Sequence, residues 1–141
     1  MLSAREVLAP GDGIVTDVIE GVRDNLPGSK NPYSVLGNAV FIRHKEHEVS
    51  VLAHFKQGTI GVKVGDKVVK GQAIGLCGNS GNSGEPHIHY HLQNTDVIQD
   101  GTGIKVFFGE VVLQRASEET LKEEYSPVTG DTVAAQSPSE G

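Results

Sequence analysis

Gly75-Leu76-Cys77-Gly78-Asn79-Ser80-Gly81-Asn82-Ser83-Gly84-Glu85-Pro86-His87-Ile88-His89-Tyr90-His91-Leu92 is the stretch from which the rest of the chain is read. Four glycines interleaved with Asn79, Ser80, Asn82 and Ser83 make an irregular loop, and Pro86 stiffens its exit. Histidines then alternate with Ile88, Tyr90 and Leu92. That period of two is the signature of a strand, in which successive side chains point to opposite faces. One face therefore carries His87, His89 and His91 in a row, and the other is apolar and packs on a core.

Neighbouring imidazoles on one strand face stand about 7 Å apart. One can hold a metal while the next reaches a substrate bound beside it, and zinc brings the pKa of water from about 15.7 to roughly 7. A blander account is histidines facing solvent on an edge strand, which suffices for the dipeptide spacing alone in a chain with six histidines. The Gly/Asn/Ser loop and Pro86 directly before the row favour a site.

Composition bounds the fold. A chain of 141 residues fits one domain with a real core. Eighteen glycines, abundant valine and only seven aromatics point to short strands and tight turns, so the chain reads as mainly β. Of the net charge of -6, residues 110 to 141 hold seven acids against two bases, whereas residues 1 to 109 hold eleven acids against ten bases. A nearly neutral body with an acidic end has no basic footprint for nucleic acid. Cys77 is the sole cysteine, so no disulfide forms within the chain, and it reads as a small buried filler. No run approaches the ~18 apolar residues of a membrane span, and Met1-Leu2-Ser3-Ala4-Arg5 is not a signal peptide.

In chain order, Val7 to Pro10 is a strand end, Gly11-Asp12-Gly13 a turn and Ile14 to Glu20 a strand. The Gly-Asp-Gly turn accounts for Asp12 without a metal. An opening strand so near the terminus points to a missing N-terminal piece. Gly21 to Leu36 is a long turn-rich excursion, either a mobile insertion or a functional loop, with Tyr33 suited to lining a groove. Gly37-Asn38 opens a strand through His44, Lys45-Glu46-His47 makes a hairpin tip, and Val49 to Phe55 returns with Leu52 and His54 on one face. His44 and His47, near that tip, read as solvated. Gly61 to Gly75 is a structural β element with turns at Gly65-Asp66 and Gly71-Gln72. Residues 103–108 and 110–113 add strands, Ser117 to Glu124 is expected to make one short helix, and Ser126 to Val133 includes a possible last strand. Residues 134–141 have the composition of a disordered acidic tail.

Ala9-Pro10-Gly11-Asp12-Gly13-Ile14-Val15, Gly37-Asn38-Ala39-Val40-Phe41-Ile42, Leu52-Ala53-His54-Phe55, Val64 to Gly75, Gly78-Asn79-Ser80-Gly81 and Pro86-His87-Ile88-His89-Tyr90 together resemble the M23 (lysostaphin/LytM-like) zinc metallopeptidases. The resemblance covers about residues 7 to 93. It implies an all-β fold, a duplicated hybrid motif forming a small two-layer antiparallel β-sandwich, whose groove cleaves peptide cross-links of peptidoglycan outside the cytoplasm. By position His89 resembles the zinc ligand, and His87 and His54 resemble the two catalytic histidines. His91 lies beyond the motif and has no assigned role. The family's other two zinc ligands come from a His-x-x-x-Asp motif upstream of Val7, which this chain lacks. The expectation is a core over residues 1–115 with its N-terminal part missing, a short helix and possible last strand over 116–133, and weak or absent zinc binding. The alternative is a degenerate module that binds peptidoglycan or regulates another hydrolase. A biotinyl or lipoyl carrier, which shares the Val64 to Gln72 pattern, is set aside because no Met-Lys-Met tip is present.

Overall fold

The computed structural model describes residues 5–26 and 28–135. Among the described residues it is all-β, with every paired strand antiparallel and a single 3-10 turn at Ile98–Asp100. Two compact units divide the chain, Met1–Ile104 and Lys105–Gly141.

The first unit contains β1 (Glu6–Leu8), β2 (Gly13–Ile19), β3 (Asn38–Lys45), β4 (Glu48–Phe55), β5 (Lys67–Val68), β6 (Ala73–Leu76), β7 (His89–Gln93) and β8 (Gly103–Ile104). Six strands form one sheet in the order β5-β2-β3-β4-β7-β8, and β1 pairs with β6 in a small second sheet. The sequences of β3 and β4 lack polar alternation because both of their faces are covered. On one face Val15, Val40, Ile42, Leu52 and Phe55 pack against Val7 and Ile74 of the small sheet and Val62 of the intervening chain. On the other, Ala39, Phe41, Val49, Val51 and Ala53 pack with Leu36 and Ile98. Burying Phe55 completely contributes about 2–3 kcal/mol.

β4 carries the irregularity that matters most. Asn38 pairs with Phe55 and Ala39 with Ala53, so His54 has no partner on β3. It is a bulge residue at φ +70°, a left-handed conformation that costs a non-glycine residue about 1–3 kcal/mol. Gly37, at φ +62°, fits against the bend at Ser80, where any Cβ would press into the Ser80 backbone.

The second unit is a three-stranded sheet, β9 (Phe108–Arg115), β10 (Glu118–Tyr125) and β11 (Thr132–Ala134), in the order β10-β9-β11. Ser117 to Glu124 therefore does not form the expected helix. The chain reverses through Ala116 at φ +53°, and Thr120, Leu121 and Lys122 pair with Leu113, Val112 and Val111. The ladder satisfies the backbone that the glutamates' helix propensity alone would have coiled. The unit begins at Lys105 rather than at 116, because β9 belongs to it. Asp131, its side chain 4% exposed, accepts bonds from the Tyr125 hydroxyl (2.6 Å), the Val128 amide (3.0 Å) and the Arg115 guanidinium (3.0 Å). β11 supplies the expected last strand. Within the expected tail, residues 136–141 lie outside the described residues.

Gly37→Ala and Gly58→Ala separate backbone strain from collision, since Gly58 also has positive φ (+75°) but open space around its Cβ position. Gly58→Ala is expected to lower the unfolding free energy by about 1 kcal/mol, and Gly37→Ala by roughly 3 kcal/mol or more, as read by urea denaturation.

Candidate functional site

Four histidines meet on the face of the six-stranded sheet that carries Ala53 and Val51. β7 pairs with β4 so that His89 lies opposite Ala53 and His91 opposite Val51. Directly opposed residues share a face, and the Ala39–Ala53 pair beside them is small. His54 joins this group only because of the bulge. In a regular strand it would share the opposite face with Leu52, as its sequence spacing predicts, but the left-handed turn brings its ring 4.8 Å from that of His87 and 6.1 Å from that of His89.

His54, His87 and His89 each have one nitrogen committed, and His91 has both. His54 Nδ1 donates to the Ser80 carbonyl at 2.7 Å, which leaves Nε2 as the lone-pair nitrogen of the neutral ring. His87 Nδ1 lies 2.9 Å from the Glu85 carbonyl, so it too is the protonated nitrogen, with Ser83 Oγ at 3.1 Å. His89 Nε2 contacts His91 Nδ1 at 2.8 Å, and His91 Nε2 contacts Gln93 Oε1 at 2.7 Å.

The scaffold beneath the rings is a buried polar network. Ser80 Oγ accepts from the Asn38 amide (3.0 Å) and donates to the Phe55 carbonyl (2.7 Å). Asn38 Nδ2 donates to the carbonyls of Phe55 (3.0 Å) and Val22 (2.7 Å), and its Oδ1 accepts from the Val22 amide (2.8 Å). The excursion over residues 21–36 is stitched to the glycine loop. Asn25 Nδ2 reaches the Gly81 carbonyl at 2.6 Å, the Asn31 amide donates to the same carbonyl at 3.0 Å, and Asp24 Oδ1 accepts from the Asn79 amide at 3.2 Å. Its Tyr33 is 97% exposed.

Sequence reading brought together His54, His87 and His89, and the structure groups them. That reading placed His91 on the same face without a role and did not single out Gln93, although both continue the alternation along β7, and it missed Asn38 and Ser80, whose polarity gave no hint of their burial. His44 is not simply solvated: it bonds the Asp12 carbonyl (2.7 Å) and Ser50 Oγ (2.6 Å), which in turn lies 3.1 Å from the Tyr90 hydroxyl. His47 is exposed, beside Glu46. Asp12 Oδ1 accepts from the Lys70 amide and serves its turn. Burial raises the pKa of the Cys77 thiol, the wrong direction for a nucleophile.

His54 and His89 hold their protons less readily than ordinary imidazoles. For both, burial is the leading cause, followed for His54 by the neighbouring His87 working against the Ser80 bond, and for His89 by His91, His54 and His87. Neutral imidazoles are ligands and bases. His89 has its Nε2 engaged by His91, and a zinc-ligating histidine usually has its second ring nitrogen hydrogen-bonded in this way. A catalytic zinc needs about three protein ligands, and among the described residues no group of three or more His, Cys, Asp or Glu side chains is placed to hold a metal. The described residues thus fit one corner of a zinc site and do not complete it.

The model of peptidase family M23 matches residues 2–104. The peptidoglycan DD-endopeptidase ShyA of Vibrio cholerae is 37% identical over 86 residues, which cover 61% of this chain and 17% of ShyA. The chain thus matches less than a fifth of the length of that relative. Among solved structures, a mutant catalytic domain of the prophage-encoded M23 protein EnpA from Enterococcus faecalis superposes with a TM-score of 0.56 at 27% identity, covering 72% of this chain and 66% of that one. A zinc-containing peptidase from Vibrio cholerae superposes at 0.52 and 25% identity, over 71% of this chain and 26% of that one.

Because His54 and His89 have lowered pKa values, the unfolded chain binds more protons than the folded one once the pH drops below the ordinary imidazole value of about 6.5. Their share of stability is present above that value and is lost as pH falls through their folded-state values. His54→Gln removes one such group, so its unfolding free energy is expected to fall less steeply than that of the parent between about pH 6.5 and 5. Parallel denaturation series across that range measure the two slopes.

Proposed function

The chain belongs to peptidase family M23, and from that premise we propose that it is a zinc metalloendopeptidase domain hydrolysing peptide bonds of peptidoglycan cross-links in the cell envelope or outside the cell. In this reading His89 ligates zinc through Nδ1, and His54 and His87 are the catalytic histidines. The observation that carries it is the strained bulge at His54, which places that ring beside His87 and His89 where a regular strand would turn it away. Strain of this kind persists where the surrounding structure holds it in place, and it clusters at functional sites.

Zinc, when bound, supplies Lewis acidity to polarise the scissile carbonyl and activate water. The chain's own residues handle the protons. His54 and His87, each with Nδ1–H tied to a carbonyl, present Nε2 as the basic atom. One such Nε2 takes the proton of the attacking water, and the imidazolium so formed stabilises the oxyanion before it gives that proton to the leaving amine. Burial keeps His54 neutral at neutral pH and so available as the base. The remaining zinc ligands are not among the described residues. That observation favours the second reading, a non-catalytic module that binds peptidoglycan or regulates another hydrolase.

Purified peptidoglycan digested in the presence of zinc, with released fragments followed by chromatography, distinguishes the two. The peptidase reading expects new amino termini, and losses of about 10²-fold or more for His54→Ala and for His87→Ala. The module reading expects binding without cleavage.

A further inference from the structure

We infer that His91 is a positioning residue for His89, holding it in one tautomer and orientation through a directional relay anchored on Gln93. The direction of the relay follows from its far end. Gln93 is 3% exposed, and its Nε2 donates to the Thr95 carbonyl at 2.7 Å. Reversing the amide would set Oε1 against that carbonyl oxygen, two acceptors with no proton between them. Gly101 packs so closely on the amide that a Cβ there would collide with it, which leaves the group little room to turn.

Gln93 Oε1 is therefore an acceptor, and His91 Nε2, 2.7 Å away, donates to it. In neutral His91 the lone pair must then be on Nδ1. The 2.8 Å contact from His89 Nε2 to that nitrogen requires His89 to donate, so neutral His89 has its own lone pair on Nδ1. Three side chains at alternate positions of β7 thus transmit the fixed polarity of a backbone carbonyl to the nitrogen proposed to meet the metal. The bond also fixes the ring plane, since His89 and His91 stand at 74° to each other, centroids 5.0 Å apart.

The metal-facing role rests on the proposed assignment of His89, but the relay itself can be read without metal. In the metal-free, 15N-labelled full chain at about pH 8, where imidazoles are neutral, we expect a scalar coupling across the hydrogen bond between His89 Nε2 and His91 Nδ1, with the proton on His89. In His91→Leu the coupling disappears and zinc affinity falls by about tenfold or more. His91→Asn restores most of the affinity, because asparagine Oδ1 takes the place of histidine Nδ1. Absence of the coupling in the parent, a proton residing on His91 Nδ1, or unchanged zinc affinity in His91→Leu would overturn the inference. If the parent binds no zinc while the coupling is present, the assignment of His89 as a ligand fails and the relay stands.

Discussion

The buried hydroxyl of Ser80 is the contact on which the arrangement of the site depends. It joins the Asn38 amide to the Phe55 carbonyl, backbone groups of two residues paired across β3 and β4 directly beside the bulge. A bulge leaves backbone donors and acceptors without ladder partners, and each such group left unpaired in the interior costs about 1–3 kcal/mol. Here Ser80 and Asn38 supply the missing partners. The Ser80 carbonyl then holds His54 Nδ1, so the same residue that makes the bulge tolerable also aims its side chain. The glycines at 37 and 81 permit this contact by bringing two backbones together where side chains would collide.

What the bulge completes is a cluster of imidazoles in which, among the described residues, no carboxylate is hydrogen-bonded to any of the four rings. Burial and the neighbouring imidazoles both act against protonation of His54 and His89, and so these two favour lone pairs over charge. The hydrogen bonds then decide which nitrogen carries each lone pair. In His54 and His87 the partner is a backbone carbonyl, and in His89 it is a second imidazole anchored by a buried amide. The two solutions expose Nε2 on the first pair and Nδ1 on the last. That division matches the roles proposed for them, proton transfer for two and metal ligation for one.

Much of this was legible before the structure, but through two different kinds of signal. The alternation from His87 to Leu92 fixes which side chains of β7 face the site, because strand geometry admits only one reading of period two. The same rule misplaces His54. Its spacing from Leu52 predicts a shared face, and only the order of motifs resembling a known family marked it for the site. A bulge is a property of pairing between distant segments, set here by residues 37, 38 and 80, so no local window around His54 records it. Asn38 and Ser80 were read as strand and loop residues for the same reason. Ser117 to Glu124 was misread in the opposite direction, since its glutamates favour a helix locally and the partner strand that overrides them precedes it in the sequence. The relay through His91 and Gln93 was visible as a pattern, but its chemistry depends on the Thr95 carbonyl at its end.

The most direct test is the proton–proton contacts of the His54 ring, measured by NOE spectroscopy on the metal-free chain. With the bulge, His54 ring protons show cross-peaks to those of His87, whose centroid lies 4.8 Å away. Cross-peaks instead to the side chains of Leu52 and Tyr90, on the other face of the sheet, would mean that β4 runs on as a regular strand, and that the cluster of imidazoles does not exist.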